Sequence, residues 1–185
     1  MVESVRYAEY PPAPDVRSLA DRYWRLTVPR TAVLERALPD GHCEFVVHLA
    51  DACVRVDAAG HETLQPSCLL IGQMTGPVDL RPAGALDAFG IRLQPEASVR
   101  ETASRILALD TVFGSAARRW EQQLHECRHD AQRVAASDAF LRTLQALGWA
   151  ADARARAAVE ALRAGGSVAF VAGRLGWSLR QLERH

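Results

Sequence analysis

Residues 167–185, SVAFVAGRLGWSLRQLERH, constrain the fold more than any other stretch. They predict two short helices joined by a sharp corner. Ser167 follows the Gly165-Gly166 breaker and is placed to cap the first helix. Val168, Val171, Ala172 and Leu175 fall on one face of it, at spacings of three and four. Gly176 then ends it, because a residue without a Cβ takes the left-handed conformation at little cost. Ser178 opens the second helix with Gln181 three residues on, a capping-box spacing, and Trp177 and Leu182 are placed as a hydrophobic staple. The small Ala172 lets the helices cross closely, and the glycine corner sets the angle, as a helix-turn-helix requires.

The rest of the chain bounds what this unit is attached to. Of 185 residues, 49% are apolar, enough for one core and a small appended unit. No apolar run is long enough to span a bilayer, so no membrane partner is expected. The opening MVESVRYAEYPPAPD has no apolar signal core, which predicts a cytoplasmic protein. Cys43, Cys53, Cys68 and Cys127 form no C-x-x-C pair and are expected to be reduced packing thiols. All 22 basic residues are arginine and are balanced by 22 acids. The balance is uneven, since residues 150–185 carry six arginines against Asp152, Glu160 and Glu183. A basic tail on an acidic body suits a nucleic-acid reader on another domain, although a solvated helical surface gives the same excess.

Short strands separated by Gly and Pro turns fill the first half. The proline-rich residues 1–16 are expected to be an extended arm. Arg22–Val28, His42–Leu49, Cys53–Asp57, His61–Leu64, Cys68–Gly72 and Ala88–Gln94 read as strands. In 42–49, Cys43, Phe45, Val47 and Leu49 take one face, and His42, Glu44, Val46 and His48 the other. Phe89, Ile91 and Leu93 likewise oppose Arg92. The apolar run at 68–72 suits a strand buried on both faces. After Pro95 the period turns helical, over Ser115–Arg128, Asp138–Leu147 and Asp152–Ala164. The fold class is therefore α+β: an antiparallel β-barrel with C-terminal helices over residues 1–149, then an all-α unit over 150–185.

The segment 167–185 resembles the first helix-turn-helix of the AraC/XylS-type transcriptional regulators. ARAAVEALRAGG before it is similar to the helix that opens their DNA-binding domain. Upstream, RYWRL, LPDGHCEFVVHL, GQMTGP and FGIRLQP resemble, in order, the sensor domain of one AraC-like branch. The resemblance implies a cupin-like β-barrel sensor, a small-molecule effector, a homodimer, and DNA as partner of the full-length form. It also implies a second helix-turn-helix beyond His185, so the 185 residues alone are expected to bind an operator weakly or not at all.

On that reading Arg180, Gln181 and Arg184 face DNA, with Ser178 as cap and phosphate contact. The plain alternative is a solvated arginine-rich helix face. Trp24, Glu44, Gln73, Phe89 and Arg92 are the effector-pocket candidates, aromatic walls with polar anchors, against ordinary core packing. His42, Glu44 and His48 share a strand face and raise a different possibility, a cupin-like metal-dependent enzyme. However, the two histidines are about 20 Å apart along an extended strand, so a polar lining is the simpler reading and no metal is expected. In His125-x-Cys127-x-His129 only the two histidines share a helix face. No catalytic triad spacing is present, and Gly72–Gly76 lacks the lysine of a phosphate loop. No cofactor and no enzyme activity are expected. A third possibility is a plain dimerisation module.

Overall fold

The computed structural model describes residues 4–30, 34–57, 59–97, 99 and 102–184, with the side chains of 182–184 excepted. Ten strands precede five helices. The strands are β1 (Arg6–Tyr10), β2 (Ala20–Val28), β3 (Glu35–Ala37), β4 (Glu44–His48), β5 (Cys53–Val56), β6 (Glu62–Leu64), β7 (Cys68–Ile71), β8 (Val78–Pro82), β9 (Leu86–Leu93) and β10 (Ile106–Ala108). The helices are α1 (Asp110–Glu126), α2 (Asp130–Ala146), α3 (Ala153–Arg163), α4 (Val168–Leu175) and α5 (Leu179–Arg184). The strands form a six-stranded sheet, β1-β2-β9-β4-β7-β10, and a four-stranded sheet, β3-β8-β5-β6. Every pairing is antiparallel.

One expectation about the β region is corrected. The barrel does not close: among the described residues the two sheets share no strand pairing. Edge strands β3, β6 and β10 have three residues each, too few for a ladder that bridges the sheets. The N-terminal arm is extended over residues 6–10, where it forms an edge strand paired with β2 that places Tyr10 opposite Tyr23. Tyr10 stacks on Phe89, and its hydroxyl donates to Asp130 at 2.6 Å.

The large sheet is covered on one face by α1 and α2. Tyr23, Phe45, Val47, Leu70, Phe89, Ile91 and Leu93 meet Trp120, Leu124, Phe140, Leu141 and Leu144 there. Trp120 stacks on Phe140 with ring centres 4.8 Å apart, and its N–H donates to Ser137. Val46, Leu69, Leu86 and Ala88 lie on the other face, where Cys53 joins them from the small sheet. Strand β7 thus serves both faces, Leu70 one side and Leu69 the other, as its continuous apolar run implies. Cys43, Cys53 and Cys68 are buried free thiols.

Helix α2 starts eight residues before the apolar periodicity does. Its first two turns, DAQRVAAS, mix polar residues with Val134 and Ala136, which pack on the core, and they are held by a capping box between His129 and Gln132. Buried Arg133 also holds them, donating to Asp130 and to the Cys127 carbonyl. Helix α1 likewise starts earlier than its periodicity, at Asp110, with a kink at Gly114 where φ is +56°. Helix α3 docks on the turn after β9: the Asp152 N–H donates to the Glu96 carbonyl, and Arg156 pairs with Glu96. Helix α4 packs on α3, and α5 on α4.

Candidate functional site

The tail forms the two helices and the corner that its sequence predicts. Ser167 Oγ accepts from Phe170 N–H at 3.2 Å. Gly176 sits at φ +66°, and the next N–H, from Trp177, returns to the Ala172 carbonyl at 2.9 Å. Ser178 N–H donates to Gln181 Oε1 at 2.8 Å, while Gln181 N–H donates to Ser178 Oγ at 3.2 Å. That box occupies the Gln181 carbonyl oxygen and leaves its amide NH₂ facing solvent. Arg180 is exposed. The side chains of Arg184 and Leu182 lie outside the described residues, and with them one expected DNA contact and half of the expected staple. Val171 and Ala172 are buried. Val168, expected on the same face, is instead exposed. Phe170 is also exposed, with Arg174 over its ring at 5.9 Å.

The second candidate lies on the large sheet, on the face turned away from α1 and α2. Strand alternation and register build it. Glu44 pairs with Arg92, Arg92 with Arg22, and Trp24 with Gly90. Gly90 is there because the indole lies across it: a Cβ at this position would come 2.2 Å from Trp24 Cε2. Arg92 reaches Asp40 in the loop before β4, and its Nε stands 3.8 Å from Glu44 Oε1. Arg22 is held by Glu9 and Asp21. Tyr7 donates to Glu9 at 2.9 Å. Although Tyr7 is 55% exposed, partial loss of hydration and that bond to Glu9 push its hydroxyl up to about 12. Burial also lifts the Glu44 carboxyl to about 7, against the facing indole N–H and the Arg22 charge.

The structure therefore brings together Trp24, Glu44 and Arg92. It places Gln73 at their rim, where its amide donates to the Gly41 carbonyl at 3.1 Å. Phe89 is a correction. It has no exposed surface and packs on the opposite face, against Tyr10 and Tyr23, because odd positions of β9 point to the helices and even ones away from them. Asp40, Arg22 and Gly90 belong to this constellation and were not singled out by the sequence. Only the glycine inside a strand gave a signal, of close backbone approach.

Four polar atoms on or beside this inner face are buried without a hydrogen-bond partner: Trp24 Nε1, Arg92 Nε, His48 Nδ1 and Gln65 Nε2. Burial holds the His48 imidazole below its ordinary pKa, against its 3.2 Å contact with Gln65 Oε1. His42 is engaged elsewhere, its Nδ1 being 2.8 Å from the Leu93 carbonyl. Among the described residues, no three His, Cys, Asp or Glu side chains stand close enough to hold one metal ion. A cleft of about 520 Å³ opens on the helix side, between β1, β2, β9 and Asp130. Three of its charges are paired: Arg25 binds Asp87 through Nε and Nη2 and Asp130 through Nη1. No helix among the described residues is long and apolar enough to cross a membrane.

Several solved structures are similar to this chain at low identity. The cupin domain of an XRE family transcriptional regulator from Enterobacter cloacae has 11% identity and a TM-score of 0.38, over 50% of this chain and 99% of that one. An HTH_3 family transcriptional regulator from Vibrio cholerae has 17% identity and a TM-score of 0.34, over 49% of this chain and 50% of that one. The iron(II) form of HppE has 12% identity and a TM-score of 0.33, over 50% of this chain and 58% of that one. No curated protein matches the chain. The family model of a domain of unknown function, DUF6597, matches residues 8–126, more than half of the sequence. That span takes in the last three residues of β1, all of β2 through β10 and all of α1, and by it the chain belongs to the DUF6597 family.

Proposed function

We propose that the protein is an AraC-type transcriptional regulator and not an enzyme. In this reading residues 1–149 form a sensor and dimerisation unit, and residues 150–185 belong to a DNA-binding unit. The observation that carries the reading is the tail: a left-handed Gly176 corner between two capped helices, with Arg180 and the Gln181 amide turned to solvent. Guanidinium and amide groups at the start of a second helix are the donors that base edges and phosphates accept. A small effector would bind the inner-face cluster around Trp24, Glu44 and Arg92 and change the placement of two readers in a homodimer. Effector and operator would then alter each other's affinity by the same factor.

Selection of bound duplexes from a random DNA library by the full-length protein tests this. An enriched motif is expected. Arg180→Ala should weaken binding to it and reduce the salt dependence by about one phosphate contact. Failure to enrich any motif would sink the reading, as would an Arg180→Ala variant with unchanged affinity and salt slope.

A further inference from the structure

The inner-face cluster has more buried donors than acceptors. Trp24 Nε1 and Arg92 Nε are both buried with no partner at hydrogen-bonding distance, and both face a single carboxyl, Glu44, the indole N–H closely enough to oppose the rise of its pKa. Arg92 Nε is 3.8 Å from Glu44 Oε1. A buried donor left unmet is costly, and an incoming pair of acceptor oxygens would satisfy both. The site is within reach of solvent: the side chains of Arg92 and Glu44 are 18% and 21% exposed. The chain already shows what Arg92 accepts. Asp40, in the exposed loop before β4, sets its own carboxylate on Arg92 Nη2 and leaves Nε unused. A planar carboxylate is the group that two adjacent guanidinium N–H groups take together.

Building on the effector-site reading above, we propose that this site takes a small carboxylic acid, bound as its carboxylate to Trp24 Nε1 and Arg92, with Glu44 as the neighbour that carries a proton and Asp40 as the internal competitor it displaces. Two ionised carboxylates side by side oppose each other, so binding of the acid favours protonated Glu44. Burial already holds that carboxyl near 7. The charged and titratable groups around it are Arg92 on β9, Arg22 on β2 with its partners Glu9 and Asp21, Tyr7 on β1, and His42 just before β4.

The experiment follows the Trp24 indole N–H resonance of ¹⁵N-labelled protein, assigned with Trp24→Phe. Phenylacetate is titrated against phenylacetamide and phenethylamine. The acid should shift the resonance and the amide and amine should not. Its affinity should fall about tenfold from pH 6 to pH 8, as Glu44 loses its proton. Glu44→Gln should abolish that dependence and His42→Gln should keep it. Asp40→Asn, in an exposed loop, should tighten binding several-fold. A resonance moved equally by the amide, or more by the amine, overturns the ligand class while leaving the site. A resonance unmoved by millimolar phenylacetate or acetate overturns the proposal. No DNA enters the assay, so either failure is distinct from failure of the DNA reader.

Discussion

The two faces of the six-stranded sheet are made by the same strands at the same period, yet they have opposite characters. Toward the helices, Tyr23, Phe45, Phe89 and Ile91 are fully buried, and Trp120, the indole that covers this face, has its N–H satisfied by Ser137. Toward the small sheet, Trp24, Glu44, His48 and Arg92 alternate with Val46, Ala88 and Gly90, and four polar atoms on or beside this face go unmatched. One face spends its residues on burial. The other gives up burial for a polar surface that an added group could complete. Buried polar atoms are ordinarily bonded, so these four atoms, against Arg133 Nε and Glu96 Oε2 elsewhere, are what the proposed binding surface rests on. In the 520 Å³ cleft on the helix side, Arg25, Asp87 and Asp130 are paired with one another.

The comparison can be broken by mutation, with effects that should fall in a definite order. Trp120→Ala empties the stacked, hydrogen-bonded centre of the helix side and should cost about 3–5 kcal/mol, read as a lower urea midpoint. Gly90→Ala adds one methyl on the inner face, where Trp24 blocks it, and should cost about 1–3 kcal/mol with a displaced Trp24 indole resonance. A cost as large as that of Trp120→Ala would erase the distinction between the faces. Glu44→Gln acts through pH. A carboxyl held near 7 in the fold and near 4.3 in the unfolded chain ionises later when folded. The wild type should therefore lose stability as pH rises from about 4.3 to 7 and level off above, since the unfolded state releases its proton first. The Gln variant should lack that decline, and matching urea midpoints for the two proteins at pH 5 and pH 8 would contradict the buried-carboxyl account. The smallest effect belongs to the tail. Ser178→Ala removes a cap worth about 1 kcal/mol, and it should speed amide exchange in α5 while leaving the melting of the β region unchanged.

The site was partly legible in the sequence because alternation is local. The order His42, Glu44, Val46, His48 against Cys43, Phe45, Val47 assigns both faces of β4 without knowledge of its neighbours, and Trp24, Glu44 and Arg92 follow. Phe89 went astray by parity alone: it is three residues from Arg92, hence on the other face. Arg22 and Asp40 were not legible, since their meeting with Arg92 depends on strand register and on a loop from elsewhere in the chain. The open barrel was missed for a similar reason, since closure depends on pairing between strands distant in the chain; strands β3, β8 and β10 were also missed, whereas β6, as short as β3, was read from the Gly60 turn before it. The first turns of α2 were missed because polar contacts of Arg133 and Gln132 help hold them, and Val134 and Ala136, which pack on the core, are too few to set an apolar stripe. The tail was the most legible part. Its caps and corner are fixed by residues within four positions of one another, and the structure shows each of these bonds as the spacing implies.

The division of labour between tail and sheet is tested most directly by equilibrium titration of the full-length protein with its selected duplex, comparing wild type, Arg180→Ala and Glu44→Gln. The account predicts a weakened Arg180→Ala and a Glu44→Gln that holds DNA as the wild type does but whose affinity no longer changes with pH in the presence of phenylacetate. An Arg180→Ala that binds as well as the wild type would contradict it.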